Sequence, residues 1–413
     1  MSKLWQKGKS TSHPLIEKYT VGKDPVLDLE IMPYDIMASR AHAKMLQKIG
    51  ILTSSELQKI LKALDSINVD KVTITAADED CHTVIENFLV QKIGQTGKKI
   101  HTGRSRNDQV LTAFRLYKLD HLGSIQKETL ALSKLFATQA KKYKNIPMPG
   151  YSHTQQAMLS SVGHWLMSFA ESLADDAGFL NSILAYLSQN PLGSAAGFGV
   201  VIPLDRAFTA KELGFKKIQK NSLYCQSSRG KFESLYLEGL IQVMLTLAKF
   251  AGDMILFTSR EFAFFDLPDF LVTGSSIMPQ KRNLDIMEIL RANLSLCISH
   301  QLTVKNIAKV YPSGYNRDFQ LLKEPVIETT RIVSDSLAVT NLFLKNLKPD
   351  EKSIRSKIMP DIFMADEAND LVLKKGVPFR DAYLQVSKNH SKTHDLKKNL
   401  KSKISPGAPG NFL

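Results

Sequence analysis

The chain has 413 residues, 43% of them hydrophobic, and its 54 Lys and Arg against 40 Asp and Glu give a net charge of +14. A chain of this length exceeds the size at which a single hydrophobic core usually stops growing, so two or three domains are expected. The positive charge suits an anionic ligand, but it equally suits weak attraction to nucleic acid or to a membrane surface. Composition alone therefore does not choose among these functions.

The cysteines and the apolar pattern argue against two classes of protein. Cys81, Cys225 and Cys297 lie far apart and are odd in number, so they do not form the disulfide framework of a small secreted domain. No window reaches about 18 uninterrupted apolar residues, and the first twenty residues lack the apolar stretch of a signal peptide. We therefore expect a soluble, cytoplasmic protein with no membrane partner.

Long helices dominate the predicted elements. Apolar residues recur at steps of three to five over 109–140, and the same rhythm returns over 155–188, 232–262, 284–309 and 323–346. Helices that are apolar around much of their circumference bury more than one face, which predicts a bundle that also packs against other subunits. Two short runs, KVTITA (71–76) and GFGVVIPL (197–204), are weak strand signals without evident partners. The sequence predicts a mainly helical oligomer.

The C-terminal region carries a basic run, KNHSKTHDLKKNLKSK (388–403). Because the run has no interleaved aromatic residues on which bases could stack, a solvated helix face is the favoured interpretation. Nucleic-acid binding by the basic surface is a distant alternative, which a steep salt dependence of DNA binding would support. We expect no nucleic-acid partner.

Four polar clusters lie at the joints between the predicted helices. The first, HTGRSRNDQ (101–109), presents Arg106 and Asn107 in a setting that suits recognition of carboxylates. The alternative is an ordinary helix start, with Ser105 or Asn107 as N-cap and Asp108 favourable to the helix dipole. The second cluster, YNRDFQLLKEP (315–325), places Gln320 and Lys323 on one helical face, and a solvated helix start is its alternative.

The third cluster, PGYSHTQQ (149–156), places His153 at the expected start of the second long helix. A histidine there can serve as acid, base or hydrogen-bond anchor near neutral pH. A lone histidine at a helix start is more often structural, and the sequence leaves both interpretations open.

The fourth cluster, TGSSIMPQKRN (273–283), joins small residues to Lys281. Its hydroxyls, exposed N–H groups and ammonium could stabilise a carboxylate whose neighbouring carbon has become carbanionic. The patterns GxxxxGK[ST] and GxSxG are absent, which argues against a phosphate loop and a hydrolase elbow. No cluster has the spacing of a metal site, so the predicted chemistry rests on acid/base groups and fixed donors, with no metal.

The fourth cluster also resembles the signature loop of the fumarase/aspartase superfamily through GSSIMPQKRN. Within that superfamily, other segments are similar to the branch of the argininosuccinate lyases and the lens δ-crystallins. These segments are HTGRSRNDQ, MPGYSHTQQ, NPLGSAAG, GFKKIQKNS, YNRDFQLLKEP, GVPFRDA and YTVGKDPVLDLEIMPYDIMASRAHAKML (19–46). The resemblance covers almost the whole chain.

The resemblance implies an all-α, three-domain fold whose long central helices form a 20-helix bundle in a homotetramer. The implied domains are an N-terminal helical domain at 1–106, a central long-helix domain at 107–358 and a small C-terminal helical domain at 359–413. The implied reaction is the reversible elimination of fumarate from argininosuccinate to give arginine, in arginine biosynthesis, without metal or cofactor. Active sites would use loops from three different subunits.

The resemblance also implies site residues. Ser275 and His153 would form the acid/base pair, and which of them removes the carbon proton stays open. We favour Ser275, because the N–H groups of its loop and Lys281 can stabilise its alkoxide, while His153, oriented by Glu288, assists protonation of the leaving nitrogen. The implied substrate-binding residues are Ser39, Arg106, Asn107, Ser152, Arg229, Asn283, Tyr315, Gln320 and Lys323, with His82 as a secondary site residue.

One segment departs from the family pattern. SSRG (227–230) carries Ser228 and Gly230 at two positions where the family has acidic residues around its arginine. Two alternatives to the leading function remain: another fumarate-releasing lyase of the adenylosuccinate or aspartate type, and a catalytically silent, crystallin-like structural tetramer. Retention of His153, Ser275, Lys281 and Glu288 argues against a silent protein, because packing alone does not require these groups.

Overall fold

The computed structural model describes residues 13–309, 311–388 and 394–413. Within these residues the chain is mainly helical, as predicted. The α-helices are α1 Pro14–Val21, α2 Asp24–Lys48, α3 Ser54–Asp65, α4 Cys81–Ile93, α5 Gln95–Lys98, α6 Arg106–Lys142, α7 Val162–Leu187, α8 Arg206–Glu212, α9 Ser222–Ser227, α10 Lys231–Phe257, α11 Asp285–Ala308, α12 Lys323–Asn346, α13 Glu351–Ser356, α14 Met364–Lys375, α15 Phe379–Lys388 and α16 Leu396–Ser402.

Short 3₁₀ helices and strands complete the described elements. The 3₁₀ helices are Val69–Lys71, Lys99–His101, Asp269–Leu271, Arg317–Leu322 and Pro360–Phe363. The strands β1 Pro147–Ser152 and β2 Gln155–Ser161 form an antiparallel hairpin. Two pairs of two-residue strands remain: β3 Gln189–Asn190 runs parallel to β4 Lys217–Ile218, and β5 Phe265–Asp266 runs antiparallel to β6 Lys348–Pro349.

The described chain divides into two compact units, each built from three chain segments. Unit 1 comprises Met1–Gln126, Phe179–Ile241 and Leu296–Ile332; unit 2 comprises Lys127–Gly178, Gln242–Ser295 and Val333–Leu413. Every border between the segments falls inside one of the five long helices. The domain borders expected at 106/107 and 358/359 follow a different division and stay a prediction.

Each unit has its own core. In unit 1, Ala38 and Leu116 pack with Ala210 and Phe215. In unit 2, aromatic rings fill the space between the long helices, and the ring of Phe250 contacts four others at centroid distances of 5.1 to 6.0 Å: Phe136, Trp165, Phe169 and Phe343. Offset and edge-on aromatic pairs of this kind stabilise a core beyond their buried area.

The second long helix begins later than predicted. The expected segment 155–188 starts with strand β2, and α7 begins only at Val162. His153 therefore lies in the two-residue turn of the β1–β2 hairpin and not at a helix start. The runs 71–76 and 197–204 form no strand, and Gly197 and Gly199 adopt positive φ of 105° and 74°, which breaks an extended run.

Two further sequence predictions meet the structure only in part. Residues 389–393 of the basic run lie outside the described residues, as do residues 1–12; α16 covers a later part of the run.

By length and composition alone, α10 could cross a membrane, but 61% of its apolar window is buried within the protein, as in the core helix of a soluble protein. The three cysteines are buried and free.

Candidate functional site

A cavity of about 220 Å³ lies within unit 1. The N-terminal turn of α2, the segment before α4, the starts of α6 and α10, and residues 315–323 form its wall. The structure brings together here six of the nine predicted substrate-binding residues: Arg106, Asn107, Arg229, Tyr315, Gln320 and Lys323.

Lys323, the first residue of α12, is only 5% exposed and is held by two carboxylates of α2. Its Nζ lies 2.8 Å from an oxygen of Asp24 and 2.5 Å from an oxygen of Asp28. Burial opposes the charge of this ammonium, but the two carboxylates prevail and raise the pKa of Lys323. Burial also raises the pKa of Asp24 to about 6, although Lys323 acts in the opposite direction. The amine is therefore a fixed, charged donor at the cavity wall.

Arg106 begins α6 and is tied to the acidic segment before α4. Its guanidinium donates to Glu79 at 2.8 Å and to the hydroxyl of Thr83 at 2.7 Å, and it lies 3.4 Å from Asp80. The helix-start interpretation also holds at this place, because Ser105 Oγ accepts from the N–H of Asn107 while its own N–H donates to Asp108. The cluster both caps α6 and lines the cavity.

Arg229 is 8% exposed and lies across an aromatic ring of the cavity wall. Its guanidinium carbon is 4.9 Å from the ring centroid of Tyr315, and its Nη2 donates to the main-chain oxygen of Asn107. Its Nε is buried and has no hydrogen-bond partner among the described residues. Burial lowers the pKa of this guanidinium, which still remains a cation.

Gln320 closes the cavity from the 3₁₀ helix before α12. Its side-chain amide donates to the main-chain oxygens of Thr20 and Val21, both at 3.0 Å. Arg317 donates to Thr20 as well, at 3.1 Å. These bonds fix the C-terminal end of α1 beside the cavity.

Ser39 is one of the predicted substrate-binding residues that do not line this cavity. Its side chain is fully buried on α2, where its hydroxyl accepts from Arg104 at 2.8 Å, and it does not line the cavity. Substrate binding by Ser39 stays a prediction, and the contact in the structure is with another side chain of unit 1.

The cavity wall contains acidic residues that sequence reasoning did not select. Their carboxylates compensate the cations there: Asp24, Asp28, Glu79, Asp80 and Glu233. The spacing of Asp24 and Asp28 places both carboxylates on one face of α2, and this spacing was the feature of the sequence that could have indicated them. The signal is weak because acidic pairs at this spacing are common on solvated helices.

His82, named as a secondary residue, lines the same cavity and forms a buried pair. Its Nδ1 lies 2.8 Å from Asp35, and although burial opposes protonation, Asp35 raises the pKa of His82. Ligand atoms of Asp28, Cys81 and His82 also lie within 4.8 Å of one another, close enough for a metal ion. Since Asp28 is already bound by the ammonium of Lys323, this trio does not fit a divalent cation.

All four predicted catalytic residues belong to unit 2. Three lie on or beside the loop of residues 273–283, which two main-chain hydrogen bonds between Thr273 and Asn283 close at its base, at 2.8 and 3.0 Å. Asn283 also donates from its side chain to the main-chain oxygen of Gly274 at 3.3 Å. The base of the loop is thus fixed while its tip is largely exposed.

Ser275 is partly buried near the start of this loop. Its Oγ accepts from the N–H groups of Ile277 at 3.4 Å and Met278 at 3.2 Å. Two N–H groups aimed at one oxygen favour negative charge on that oxygen. Lys281 and Glu288 are exposed, and within the described residues neither forms a hydrogen bond with Ser275.

Ser152 and His153 lie at the tip of the hairpin, and both are exposed. His153 and Thr154 form the turn with φ of 52° and 61°, two consecutive left-handed residues as in a type I′ turn. At this turn the side chain of His153 is exposed. In the described part of the chain the ring of His153 forms neither a hydrogen bond nor an ion pair, with Glu288 or with any other residue.

Comparisons with known proteins place the chain. A family model described as "Lyase" matches residues 9–296. A curated argininosuccinate lyase of Thermotoga neapolitana is 43% identical over 95% of this chain and 99% of that protein. The chain belongs to the argininosuccinate lyase family. A second member of the family, from Sorangium cellulosum, is 40% identical over 99% of this chain and 96% of that protein.

Solved structures share the fold at lower identity. EDDS lyase in complex with formate has a TM-score of 0.81 at 21% identity and covers 97% of this chain and 88% of that chain. A class II fumarase from Schistosoma mansoni has a TM-score of 0.75 at 16% identity and covers 95% and 94%. The all-α fumarase/aspartase-like fold is confirmed, as is membership of the family that the motifs predicted.

Proposed function

We propose that the protein is an argininosuccinate lyase, which reversibly eliminates fumarate from argininosuccinate and releases arginine. The observation that carries the proposal is the cavity of unit 1, in which segments similar to this family supply both cations and carboxylates. Its relatives of about 40% identity across nearly the whole chain bear this activity in their names.

The chemistry of the cavity suits this substrate. Argininosuccinate carries carboxylates together with a guanidinium and an ammonium group, and a ligand of both charges needs both kinds of partner. Arg229 and Lys323 present fixed cations, whereas Glu79 and Asp80 present carboxylates that face Arg106. Since these groups are held before a ligand arrives, little reorganisation is required on binding.

For the proton transfers we propose Ser275 and His153. The N–H groups of Ile277 and Met278 support Ser275 as the base, because they would stabilise its alkoxide. His153 would protonate the leaving nitrogen from its exposed turn, with Lys281 and Glu288 assisting. Ser152 and Asn283 would bind substrate beside them, and the residues need no metal or cofactor for this elimination.

We also propose a homotetramer whose active sites combine loops of different subunits. The helix α11 supports the proposal, since it exposes large apolar side chains along its length: Ile289 at 62%, Leu296 at 51% and Leu302 at 58%. A second copy of the chain would cover such a surface. A cytoplasmic enzyme of arginine biosynthesis is the corresponding cellular role.

The test is fumarate release, followed as absorbance near 240 nm, from argininosuccinate, adenylosuccinate and aspartate in parallel. Fumarate from argininosuccinate alone supports the proposal. Fumarate from one of the other two substrates alone would point to another fumarate-releasing lyase. A folded oligomer that releases fumarate from none of them would point to the silent structural protein.

A further inference from the structure

A buried group of charges lies beneath the cavity of unit 1. It consists of Arg115, Lys118, Arg229 and Glu233, which are 0%, 0%, 8% and 2% exposed. Lys118 forms an ion pair with Glu233, and Arg115 lies 4.1 Å from the ring centroid of Phe232. Three buried cations around one glutamate are costly unless that carboxylate is held in place and ionised.

The surroundings of Glu233 meet both conditions. One oxygen accepts from Lys118, and the other accepts from the N–H of Gly230 at 2.6 Å. Although burial disfavours the ionised carboxylate, Lys118 and then Arg115 lower the pKa of Glu233. Glu233 also lines the cavity together with Arg229. The carboxylate thus joins the buried cations to the turn that carries Arg229.

The turn itself has no room for an acidic side chain at position 230. Gly230 adopts φ of 79°, and a Cβ atom there would lie 2.1 Å from Cβ of Ala308. The neighbouring Ser228 is fully buried and donates to the main-chain oxygen of Cys225. The two positions at which the family resemblance led us to expect acids are therefore a packed glycine and a hydrogen-bonded serine, and the carboxylate comes from the first turn of α10 instead.

We propose that Glu233 is the positioning residue of Arg229 and supplies the carboxylate that SSRG lacks. It holds the turn through the Gly230 N–H group and balances the guanidinium, so that Arg229 lies across Tyr315 and faces a ligand in the cavity. The proposal rests on the proposed function, because it assigns Arg229 a substrate group to bind.

The experiment is a double-mutant cycle on argininosuccinate cleavage with Glu233→Gln and Arg229→Lys. Glutamine keeps the shape and an acceptor for Gly230 but loses the charge, and we expect kcat/KM to fall about 100-fold, as misplacement of a binding group does. In the Arg229→Lys background the same change is expected to cost less than about threefold, because the group it positions is already lost. A purely structural role would instead give two effects that multiply.

Controls separate this outcome from unfolding and from failure of the proposed function. Glu238→Gln removes another carboxylate of α10, one that contacts Gln301 and does not line the cavity, and should retain wild-type kcat/KM. If Glu233→Gln folds poorly, Lys118→Met/Glu233→Gln removes the stranded cation; its melting temperature should recover while kcat/KM stays low. Three outcomes would overturn the proposal. Glu233→Gln could keep wild-type kcat/KM, the effects of Glu233→Gln and Arg229→Lys on kcat/KM could multiply, or kcat/KM could recover in Lys118→Met/Glu233→Gln. An inactive wild-type enzyme would refute the proposed function instead.

Discussion

The cavity of unit 1 and the loop and hairpin of unit 2 hold their polar groups in opposite ways. In the cavity, Lys323 and Arg229 are buried and have fixed partners, so their charges are set by the fold. In unit 2, His153 and Lys281 are exposed, and among the described residues the Ser275 hydroxyl is hydrogen-bonded only within its own loop. The groups proposed to bind substrate are thus prearranged, whereas the groups proposed to move protons lie on exposed segments, which can adapt to a ligand.

The largest expected effect concerns the exposed loop of unit 2. Ser275→Ala should lower kcat for fumarate release by about 10³-fold or more, because it removes the proposed base, yet leave thermal stability unchanged. Ser276→Ala, at the exposed neighbouring hydroxyl, should keep nearly full activity. Activity of Ser275→Ala within tenfold of the wild type, or dissociation of its oligomer, would show that the loop serves structure and not proton transfer.

The buried ion pairs of the cavity in unit 1 should contribute to the stability of the protein. Lys323→Met leaves Asp24 and Asp28 without their buried cation, and we expect the free energy of unfolding to fall by about 3–5 kcal/mol. Urea denaturation measures this change. Lys345→Met, at the exposed far end of α12, should change stability by less than about 0.5 kcal/mol. Equal stabilities of the two variants would contradict the clamp around Lys323.

The hairpin allows function and local structure to be separated. His153→Asn should lower fumarate release about 10²-fold while the turn persists, because asparagine tolerates positive φ better than most residues. Thr154→Gly is the matched change, since it relieves a β-branched residue at φ of 61° and should raise stability by up to about 1 kcal/mol. A thermal melt and a fumarate assay on both variants distinguish a role of His153 in activity from a role of the turn in stability. Full activity of His153→Asn would remove the imidazole from the mechanism.

The last prediction concerns the pH dependence of stability. Burial raises the pKa of Asp24 from 3.8 to about 6, so the native chain holds this proton more tightly than the unfolded chain. The stabilisation is complete below the unfolded value and is lost as pH rises through 6. Asp24→Asn stays neutral, and its stability relative to the wild type should therefore rise by roughly 2 kcal/mol between pH 4 and pH 7.5. Denaturation curves that show the reverse trend would mean that attraction to Lys323 outweighs burial.

The sequence predicted the long helices well because their apolar rhythm is local. The segment 323–346 agrees with α12 at both ends, and 284–309 differs from α11 by one residue at each end. The hairpin escaped prediction because its turn uses His153 and Thr154 in place of the usual Asn-Gly signal. The prolines of β1 also indicated a joint between helices, although an isolated hairpin tolerates proline at an edge.

Motifs pointed to some residues of the cavity and not to others. The motifs around Arg106, Tyr315 and Lys323 selected the cavity because each carries several functional groups in a short stretch. The partners of these groups were not selected, since Asp28 lies 295 residues from Lys323 and nothing local joins them. The hydrogen bond that Ser39 accepts from Arg104 likewise depends on packing and not on any motif.

The separation of Asp28 from Lys323 also bears on how the chain is made. During synthesis the two acids of α2 emerge early, and their cation Lys323 follows 295 residues after Asp28. Unit 1 is completed only by its third segment, Leu296–Ile332, after most of unit 2 has already been made. The cavity therefore closes late in translation, and a nascent chain stopped before Lys323 would hold Asp24 and Asp28 without the cation that pairs with both in the finished protein.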